Sequence, residues 1–409
     1  MDLSVAVIAT RVGKTPEQIP YSFVFNEIYR LAKRGIRVYA IRFAVELPSE
    51  SYKIHFYGLE RLLDLKAMTT TVKNLGYYPL VSLFRSPKRI YGENLYAINI
   101  ARVVEKHEID LMHAHFAHYG GLAGLLAKKK CKKPLIVTLH GFDILIEPSI
   151  KYGIRLSRRY DAIVRKVLLE ADAIIAASSA TYREALKIIG NDKKVHFIPN
   201  GVDLRRFNPD LDGTSIKKRL KVEDKYVVFT VRKHKPKYGI MYLIIAAALV
   251  LKKRSDVVFI IGGDGPLRKF HEELAVRLGI RDKIIFTGRI SQKDLPYYYA
   301  ASDVVVVPSV QEAFGLVVSE AMACGRPVIG SRVGGILDQI IDGVNGFLVA
   351  PKKPEQIAEK IVYLIDNSSE ARRMGMNGRR IAEEKFDIEK RIDQIIRLYK
   401  KIYKKFRRL

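Results

Sequence analysis

The sequence has few cysteines and no long apolar run, and both shortages narrow the class of protein. Cys131 and Cys324 are the only cysteines among the 409 residues. Two cysteines cannot form a disulfide framework or a cysteine zinc site, and their scarcity fits a reducing cytosol. No stretch approaches the roughly 20 apolar residues needed to span a bilayer. Residues Met1–Thr10 lack the basic leader of a signal peptide, so we expect a cytoplasmic protein.

Negative charge is scarce relative to positive charge. The chain has 71 Lys+Arg against 43 Asp+Glu, which gives a formal net charge of +28. Such a surface suits nucleic acid, an anionic membrane or a phosphorylated substrate, and it is equally typical of a heavily charged, solvated surface. The sequence lacks the interleaved aromatic platform that single-stranded nucleic acid needs. Nucleic acid is therefore not the expected partner.

Short apolar segments alternate with longer amphipathic ones along the chain. Runs rich in valine and isoleucine indicate strands covered on both faces, and the segments between them indicate helices. This alternation predicts βαβ units and parallel, doubly wound sheets. The first set of predicted strands is Leu3–Ala9, Val38–Phe43, Leu111–His115, Leu135–Leu139, Ala173–Ala177 and Val195–Ile198. The second set is Val227–Val231, Val257–Ile261, Ile284–Phe286, Val304–Val307 and Val328–Ile329.

A polar, turn-rich stretch at residues 200–213 separates the two sets of strands. Its Asn-Gly and Asn-Pro pairs are typical of turns. We therefore predict an α/β protein with two Rossmann-like domains, residues 1–199 and 200–386, that face each other across a cleft. Ligands of such sheets bind at the carboxyl ends of the strands.

The last segment, residues 387–409, has a different pattern. Its apolar residues recur at spacings of three and four, which predicts one long amphipathic helix with a strongly basic opposite face. The helix could pack back on the first domain, lie on an anionic membrane, or do both along its length. Packing is the expected role of its first half. Its last two turns are the expected place for peripheral contact with the cytoplasmic membrane face.

Two carboxylates flank a glycine loop near Gly315. The predicted strand Val304–Val307 precedes the loop, and a predicted helix starts near Leu316. A strand, a glycine loop and a helix N-terminus form an anion site, because unpaired amides and the helix dipole favour phosphate. Glu312 lies before the loop and Glu320 lies in the first turns of the helix. Because a carboxylate would repel phosphate, the two are expected to bind sugar or ribose hydroxyls.

The spacing of these carboxylates, E-x7-E, resembles the signature of the family-4 retaining glycosyltransferases of GT-B fold. Other matches follow in the order of that family: His113-Ala-His-Phe116, Val137-Thr-Leu-His-Gly-Phe-Asp143, Ile198-Pro-Asn-Gly-Val-Asp203, Ile261-Gly-Gly-Asp-Gly-Pro266, Phe286-Thr-Gly288 and Glu320-Ala-Met-Ala-Cys-Gly325. The resemblance covers essentially the whole chain. It implies an acceptor-side first domain and a second domain that binds a nucleotide sugar, such as a UDP- or GDP-sugar. The reaction would retain the anomeric configuration and need no metal or other cofactor.

The resemblance also implies roles for single residues. Glu312 would contact the donor sugar near the reacting carbon, and Glu320 would contact the ribose hydroxyls. Arg232 and Lys237 would neutralise the diphosphate, whose negative charge grows in the transition state; a solvated basic loop is the alternative. His140 would hydrogen-bond the donor sugar, or it could be a core histidine at a strand end. The other predicted donor-side residues are Phe314, Gly315, Leu316, Gly263, Gly265, Gly288, Arg289, Ile290 and Gly13.

Three further residues are predicted on the acceptor side. His115 and Phe116 would line it together with Asp143, although Asp143 could instead cap a following helix. His113 and His115 would share one face of an extended strand end, which permits joint metal ligation. The neighbouring sequence offers no cysteine or carboxylate pair to complete such a site, so no metal is expected.

The chain departs from the family pattern after its first predicted strand. Members of the family often have a double glycine in that loop, whereas this chain has Gly13 alone. The contacts of residues 10–22 are therefore left open.

The acceptor could be a glycan, a lipid-linked sugar or a small molecule. Two other functions remain as alternatives: a GT-B epimerase or phosphorylase-like enzyme, and a basic membrane- or nucleic-acid-binding module without enzyme activity.

Overall fold

The chain divides into two compact units. The first comprises Met1–Ile198 together with Ile392–Leu409, and the second comprises Pro199–Arg391. Each unit is built on one parallel sheet. The computed structural model describes residues 3–9, 22–42, 54–57, 65–74 and 87–408.

The sheet of the first unit has seven strands in the order β3-β2-β1-β4-β5-β6-β7. Strand order reverses between β1 and β4, and ligands of doubly wound sheets bind beside such a switch point. The strands are β1 (Ser4–Ala9), β2 (Arg37–Arg42), β3 (Ile54–Tyr57), β4 (Leu111–His115), β5 (Leu135–Leu139), β6 (Ala173–Ala176) and β7 (Val195–Phe197). The helices are α1 (Ser22–Lys33), α2 (Leu65–Lys73), α3 (Pro87–Lys106), α4 (Tyr119–Cys131), α5 (Arg158–Glu170) and α6 (Ser179–Ile189).

The sheet of the second unit has six strands in the order β10-β9-β8-β11-β12-β13, with its switch point between β8 and β11. The strands are β8 (Tyr226–Val231), β9 (Val257–Gly262), β10 (Ile284–Gly288), β11 (Val304–Val307), β12 (Val328–Ser331) and β13 (Gly346–Val349). The helices are α7 (Thr214–Leu220), α8 (Ile240–Leu251), α9 (Arg268–Arg277), α10 (Leu295–Ala300), α11 (Leu316–Ala323), α12 (Pro354–Asp366) and α13 (Ser368–Lys385).

Local sequence signals fix the ends of several elements. Strand β11 consists of four valines, whose branched side chains favour extended backbone. Helix α6 begins at a capping box made by Ser178 and Thr181, and it ends at Gly190 in the left-handed conformation. These signals are the reason why many element bounds follow from sequence alone.

The two parallel, doubly wound sheets confirm the predicted fold class. Strands β4, β5 and β11 have the predicted bounds to the residue, and every residue in them is buried. The edge strands β3 and β13 were not predicted; each has only four residues, and in β13 only the two end residues are buried. The predicted strand end at Phe43 lies outside the described residues.

The last helix, α14 (Ile388–Phe406), completes the core of the first unit. Its buried side chains pack in the same cluster as Leu3 and Val5; they are Ile392, Ile395, Leu398, Tyr399 and Ile402. The basic residues Lys400, Lys401, Lys404 and Lys405 are exposed on the other face. This arrangement confirms the predicted packing on the first domain, and only the basic face remains open to another surface. Among the helices of the described ranges, none combines the length and apolar character needed to cross a membrane.

The packing of α14 can be tested by truncating Ile395, which is fully buried. We expect Ile395→Ala to lower the free energy of unfolding by about 2–5 kcal/mol, because the lost methyl groups leave a cavity. The exposed neighbour Gln394 provides the control, and Gln394→Ala should change stability by less than about 0.5 kcal/mol. Urea unfolding of the full chain, followed by circular dichroism, measures both. Equal effects of the two changes would contradict the assigned packing.

Candidate active site

Arg232 and Glu312 meet at the switch point of the second sheet. Arg232 follows β8 and Glu312 follows β11, which are neighbouring strands. Nη1 of Arg232 lies 3.1 Å from Oε2 of Glu312, and the two side chains are only 7% and 8% exposed. The Ser309 hydroxyl donates to the same carboxylate at 3.4 Å, and the amide of Ala313 donates at 3.2 Å. The carboxylate is therefore held by donors from both strand ends.

The described residues offer no hydrogen-bond partner to the rest of the buried Arg232 guanidinium. Within the described part of the chain, neither its Nε nor its Nη2 makes a hydrogen bond. A buried charged donor that is left unpaired is costly in free energy. An anionic ligand with several oxygens would satisfy both nitrogens, because guanidinium groups bind such ligands in pairs of hydrogen bonds.

Lys237 and Tyr238 extend this cluster along the loop after β8. Burial lowers the pKa of Lys237, the carboxylate of Glu312 opposes that effect, and the charge of Arg232 adds to it. Burial and the carboxylate of Glu312 together raise the pKa of Tyr238 to about 12, against the opposing charge of Arg232. The guanidinium carbon of Arg232 and Nζ of Lys237 lie 5.4 and 4.6 Å from the Tyr238 ring centroid. The amide of Val310 donates to the Lys237 carbonyl at 2.8 Å, which ties the loops after β8 and β11 together.

Glu320 lies in α11 and is partly exposed. The Tyr299 hydroxyl donates to its Oε2 at 2.7 Å. Burial raises the pKa of Glu320, while the bond from Tyr299 and the charges of Arg206 and Arg232 lower it. Arg232 therefore acts on both predicted carboxylates, on Glu312 by contact and on Glu320 by its field.

The loop before α11 leads a helix N-terminus into the site. Gly315 has φ 93°, and α11 begins at Leu316. Phe314 is a core residue that packs on Phe386 at 5.8 Å between ring centroids, so its predicted ligand contact is limited to its backbone. Among the residues that the structure describes, the amides of 314–316 find no hydrogen-bond acceptor. Free amides at a helix N-terminus favour an anion.

The predicted glycines after β9 and β10 bring two loops against the loop of Arg232. Gly263 has φ 112°, and a Cβ there would collide with the Arg232 carbonyl oxygen. Its amide donates to the Gly288 carbonyl at 2.6 Å. Gly265 lies against the backbone of His234, Ile290 packs over Gly262, and the Arg289 side chain is 85% exposed.

His140 ends a row of polar side chains in the first unit. Oε1 of Glu27 in α1 lies 3.4 Å from Nε2 of His115, and Nδ1 of His115 lies 3.0 Å from Nε2 of His140. Glu27 and His115 are buried, whereas His140 is partly exposed. The rings of Phe23 and Phe116 lie 4.8 and 4.4 Å from the His140 ring. The structure places His115 on the buried side of His140. The predicted contact of His115 with the acceptor stays a prediction.

His113 is a second buried histidine beside this row. Its Nδ1 and Nε2 each lie 2.6 Å from a hydroxyl, of Tyr399 and of Thr138 respectively. One ligand atom each from Glu27, His113 and His115 lie within 4.8 Å of one another. Glu27 is the carboxylate that the neighbouring sequence lacked. Because both nitrogens of His113 already meet hydroxyls, a metal would have to displace one of them.

Asp143 joins the ends of β4 and β5. It is fully buried and accepts the amides of Ala117 and His140 at 2.8 and 3.0 Å. Burial raises the pKa of Asp143 to about 6, although the hydrogen bonds from both amides lower it. Its carboxylate thus accepts hydrogen bonds from residues that precede it in the chain.

The structure brings the predicted residues together in two sets, one in each unit. The second unit gathers those of the strand ends β8–β11, and the first unit gathers His115, Phe116, His140 and Asp143. Gly13 and the rest of residues 10–21 lie outside the described residues. Sequence reasoning missed Glu27 and Tyr299. A signal for Glu27 existed, since it lies on the face of α1 that carries the buried Val24, Ile28 and Leu31.

Two family models match the chain, one over each half. The model described as Glycosyltransferase Family 4 matches residues 25–206. The model described as Glycosyl transferases group 1 matches residues 212–381. The second match contains Arg232, Glu312 and Glu320, and the first contains His140.

Relatives with known names match over most of their length. The chain is 33% identical over 388 residues to D-inositol 3-phosphate glycosyltransferase of Geodermatophilus obscurus, which covers 89% of this chain and 84% of the relative. It is 28% identical over 308 residues to N-acetyl-alpha-D-glucosaminyl L-malate synthase of Bacillus anthracis, covering 74% of this chain and 77% of that protein.

Solved structures share the fold at lower identity. Sucrose-phosphate synthase from Thermosynechococcus elongatus matches with a TM-score of 0.77 and 23% identity, over 98% of this chain and 99% of that one. Anabaena HepE in complex with UDP-glucose matches with a TM-score of 0.75 and 22% identity, over 98% and 100%.

The closeness of the loop after β12 to Glu312 can be tested with two glycines. Gly334 has φ 51°, and a Cβ there would collide with the Glu312 carbonyl oxygen. Gly343 has φ 76° and no described atom within 4 Å of such a Cβ. Both alanine variants carry a similar backbone cost of about 1 kcal/mol, and Gly334→Ala should lose about 1–3 kcal/mol more through the collision. Urea unfolding measures the difference. Equal losses would contradict the tight approach of this loop to Glu312.

Proposed function

Because the chain belongs to the group 1 glycosyltransferases of family 4, we propose that it transfers a sugar from a nucleoside-diphosphate donor to an acceptor hydroxyl with retention of configuration. The proposal rests on the buried guanidinium of Arg232, whose Nε and Nη2 have no hydrogen-bond partner in the described chain. A diphosphate supplies oxygens that pair with both. A neutral ligand would offer these two donors weaker hydrogen bonds than a charged phosphate does.

The cations beside Glu312 are placed to favour departure of the diphosphate. Negative charge grows on the leaving group as its bond to the sugar carbon breaks, and fixed cations stabilise that charge. Arg232 and Lys237 supply two positive charges, and the free amides of residues 314–316 add donors at the positive end of the α11 dipole. With these charges in place, the reaction would proceed without a metal or other cofactor.

The two carboxylates have separate roles in this proposal. Glu312 would turn from Arg232 to a donor-sugar hydroxyl once phosphate occupies the guanidinium. Glu320, held by Tyr299, would bind the ribose hydroxyls. The acceptor oxygen would bond to the sugar carbon on the face that the diphosphate leaves, and the acceptor proton would pass to a leaving phosphate oxygen. The carboxylate-spacing rule of retaining glycosidases is not needed for this route.

An anionic acceptor is favoured by charge. The chain has a formal net charge of +28, and two relatives are named for D-inositol 3-phosphate and for L-malate. On the acceptor side we assign His140 as the residue that meets a sugar hydroxyl, with Phe116 beside it. Asp143 would hold the His140 backbone.

We also infer that the chain associates peripherally with an anionic membrane, at the cytoplasmic face. The supporting observation is the exposed basic face of α14. The apolar face of the same helix is buried in the core of the first unit. Contact would therefore be electrostatic, without insertion of the helix. Each basic residue near an anionic surface contributes about 1 kcal/mol.

A panel of nucleotide sugars and two isosteric variants test the proposed reaction. A UDP-, GDP- or ADP-sugar at about 100 times its Kd should stabilise the chain by about 2.7 kcal/mol, which a thermal-shift assay detects. Glu312→Gln should lower kcat about 100-fold with nucleotide Kd nearly unchanged, because its contact strengthens in the transition state. Glu320→Gln should weaken nucleotide binding about tenfold or more, through the lost charged hydrogen bonds to ribose.

The same assays contain their controls. They are run in EDTA, and turnover that requires added Mg²⁺ would contradict the metal-free route. The anomer of the product, read by proton NMR, must match that of the donor. An equal loss of nucleotide affinity in both variants, with turnover surviving in Glu312→Gln, would reverse the assigned roles. An altered donor sugar without acceptor would indicate an epimerase.

Membrane association can be tested on the last turns of α14. Replacing Lys400, Lys404 and Lys405 by serine should abolish most cosedimentation with vesicles that contain anionic lipid, because each lost charge costs about 1 kcal/mol of attraction. Exposed Lys252, Lys253 and Lys269 of the second unit give a matched triple-serine control that removes the same net charge. Binding should fall steeply with added salt. Equal loss in both triple variants would assign the effect to net charge and not to α14.

A further inference from the structure

A cavity of about 160 Å³ lies in the second unit, at the edge of the sheet where its strands begin. Three of its lining residues mark that position: Tyr226 begins β8, Asp303 precedes β11 and Pro327 precedes β12. Because these strands are parallel, Arg232 and Glu312 lie at the opposite edge, where the strands end. The cavity is therefore separate from the candidate active site.

Arg326 brings a buried donor without a partner to this cavity. Its Nη2 donates to the carbonyl of Ala300 at 2.7 Å, whereas its Nε is buried and meets no hydrogen-bond acceptor among the residues that the structure describes. Burial lowers the pKa of Arg326, the carboxylate of Asp303 opposes that effect, and the charge of Arg372 adds to it. Since an unpaired buried donor on a charged group is costly in free energy, an acceptor in the cavity would stabilise this side chain.

Arg372 adds a second guanidinium group to the lining. It is exposed, and no carboxylate of the described ranges forms an ion pair with it. Its neighbour Arg373, in contrast, bonds both carboxylate oxygens of Glu370, at 2.5 and 2.8 Å. Two like charges beside one cavity repel each other, and an anion between them would remove that repulsion.

The N-terminus of α13 borders the same cavity through Ser368, Ala371 and Arg372. The side chain of the preceding Asn367 caps no amide of the helix. Within the described part of the chain, the amides of residues 368–370 find no acceptor. The helix is 18 residues long, and its dipole places partial positive charge at this end. Free amides and the dipole both favour an anion.

Asp303 is the carboxylate that lines the cavity, and its charge already has partners. The amide of Val227 donates to its Oδ2 at 2.7 Å, and Nζ of Lys217 lies 3.7 Å from the same oxygen. The two guanidinium groups and the helix N-terminus are therefore only partly compensated within the cavity, which keeps an excess of positive charge.

We propose that this cavity binds a phosphate group, either free or carried by a small molecule as a monoester. The oxygens of a phosphate point in tetrahedral directions, so that they can meet Arg326, Arg372 and the α13 amides at the same time. A carboxylate offers two oxygens in one plane. The proposal does not depend on glycosyl transfer, because the cavity shares no lining residue with the candidate active site.

Calorimetric titration of the full chain with inorganic phosphate tests the site. We expect binding in the unmodified chain, and Arg372→Gln should weaken it about tenfold or more, the scale of a lost charged hydrogen bond. Binding should persist in Arg232→Gln, which removes the guanidinium proposed to hold the donor diphosphate. Phosphate binding that is lost in Arg232→Gln and kept in Arg372→Gln would overturn the proposal, as would a chain that binds no phosphate.

Arg373→Gln is the matched control for Arg372→Gln. It removes the same charge from the next position of α13, and Arg373 does not line the cavity. Phosphate affinity should change by less than about twofold, because an exposed charge outside the site is largely screened. Both residues are exposed, so both variants should fold like the unmodified chain, which circular dichroism checks. Equal losses of affinity would assign the binding to net charge and refute the site.

Arg326→Lys tests the buried donor. Lysine keeps the positive charge but lacks the Nε that faces no acceptor in the described chain. This variant should also weaken phosphate binding about tenfold. Unchanged affinity would show that Arg326 takes no part in binding and would contradict the proposed site.

Two further probes, used at equal ionic strength, define the ligand class. If glycerol phosphate binds at least as tightly as inorganic phosphate, the ligand is a phosphate monoester. If it binds more than about tenfold more weakly, the cavity takes free phosphate, because the ester then costs a charged contact. Either result supports a phosphate site. Acetate that binds as tightly as phosphate would overturn it. None of these measurements requires turnover, so their outcome is separate from that of the proposed reaction.

Discussion

In each unit the parallel strands have their carboxyl ends at the same edge of the sheet. The strand order reverses at one point along that edge, and this leaves an opening there. The chain uses both openings for polar groups. In the second unit, the loops that follow β8 and β11 meet there and bring Arg232 against Glu312. In the first unit, β4 borders the opening and carries His115 at its end. In the second unit, the loops after β9 and β12 lie against Arg232 and Glu312.

The opening in the second unit holds ionisable groups that are buried away from water. Burial lowers the pKa of Lys237 and raises that of Glu320, so each group's charged form is disfavoured in the ligand-free chain. Arg232 offsets part of this cost for Glu320 and pairs with Glu312. In the proposed reaction, a ligand with negative phosphates and neutral hydroxyls would relieve the remaining cost on both kinds of group. The surrounding valine-rich strands supply the stability that lets such groups remain buried.

The fold and the loops after β8 and β11 could be predicted because their signals lie in short windows of sequence. The valines of β11, Gly315 and the following helix are neighbours in the chain, and Arg232 directly follows an apolar strand. Glu27 could not be paired with His115 from spacing, since α1 reaches β4 only through tertiary packing. Tyr299 is one of three consecutive tyrosines, so nothing local marks it as the partner of Glu320. His115 was assigned to the acceptor side although it belongs to β4, a strand that was predicted to be covered on both faces and in which every residue is buried.

The core of the first unit is completed by residues from the far end of the chain. Ile392, Ile395 and Tyr399 pack against β1 and its neighbours, yet Pro199–Arg391 forms a separate compact unit between them. On a ribosome adding about 5–20 residues per second, the first unit waits roughly 10 to 40 s for its last helix. The second unit emerges during that interval. The first unit is therefore synthesised first but completed last. Its incomplete form is the species that a chaperone would meet.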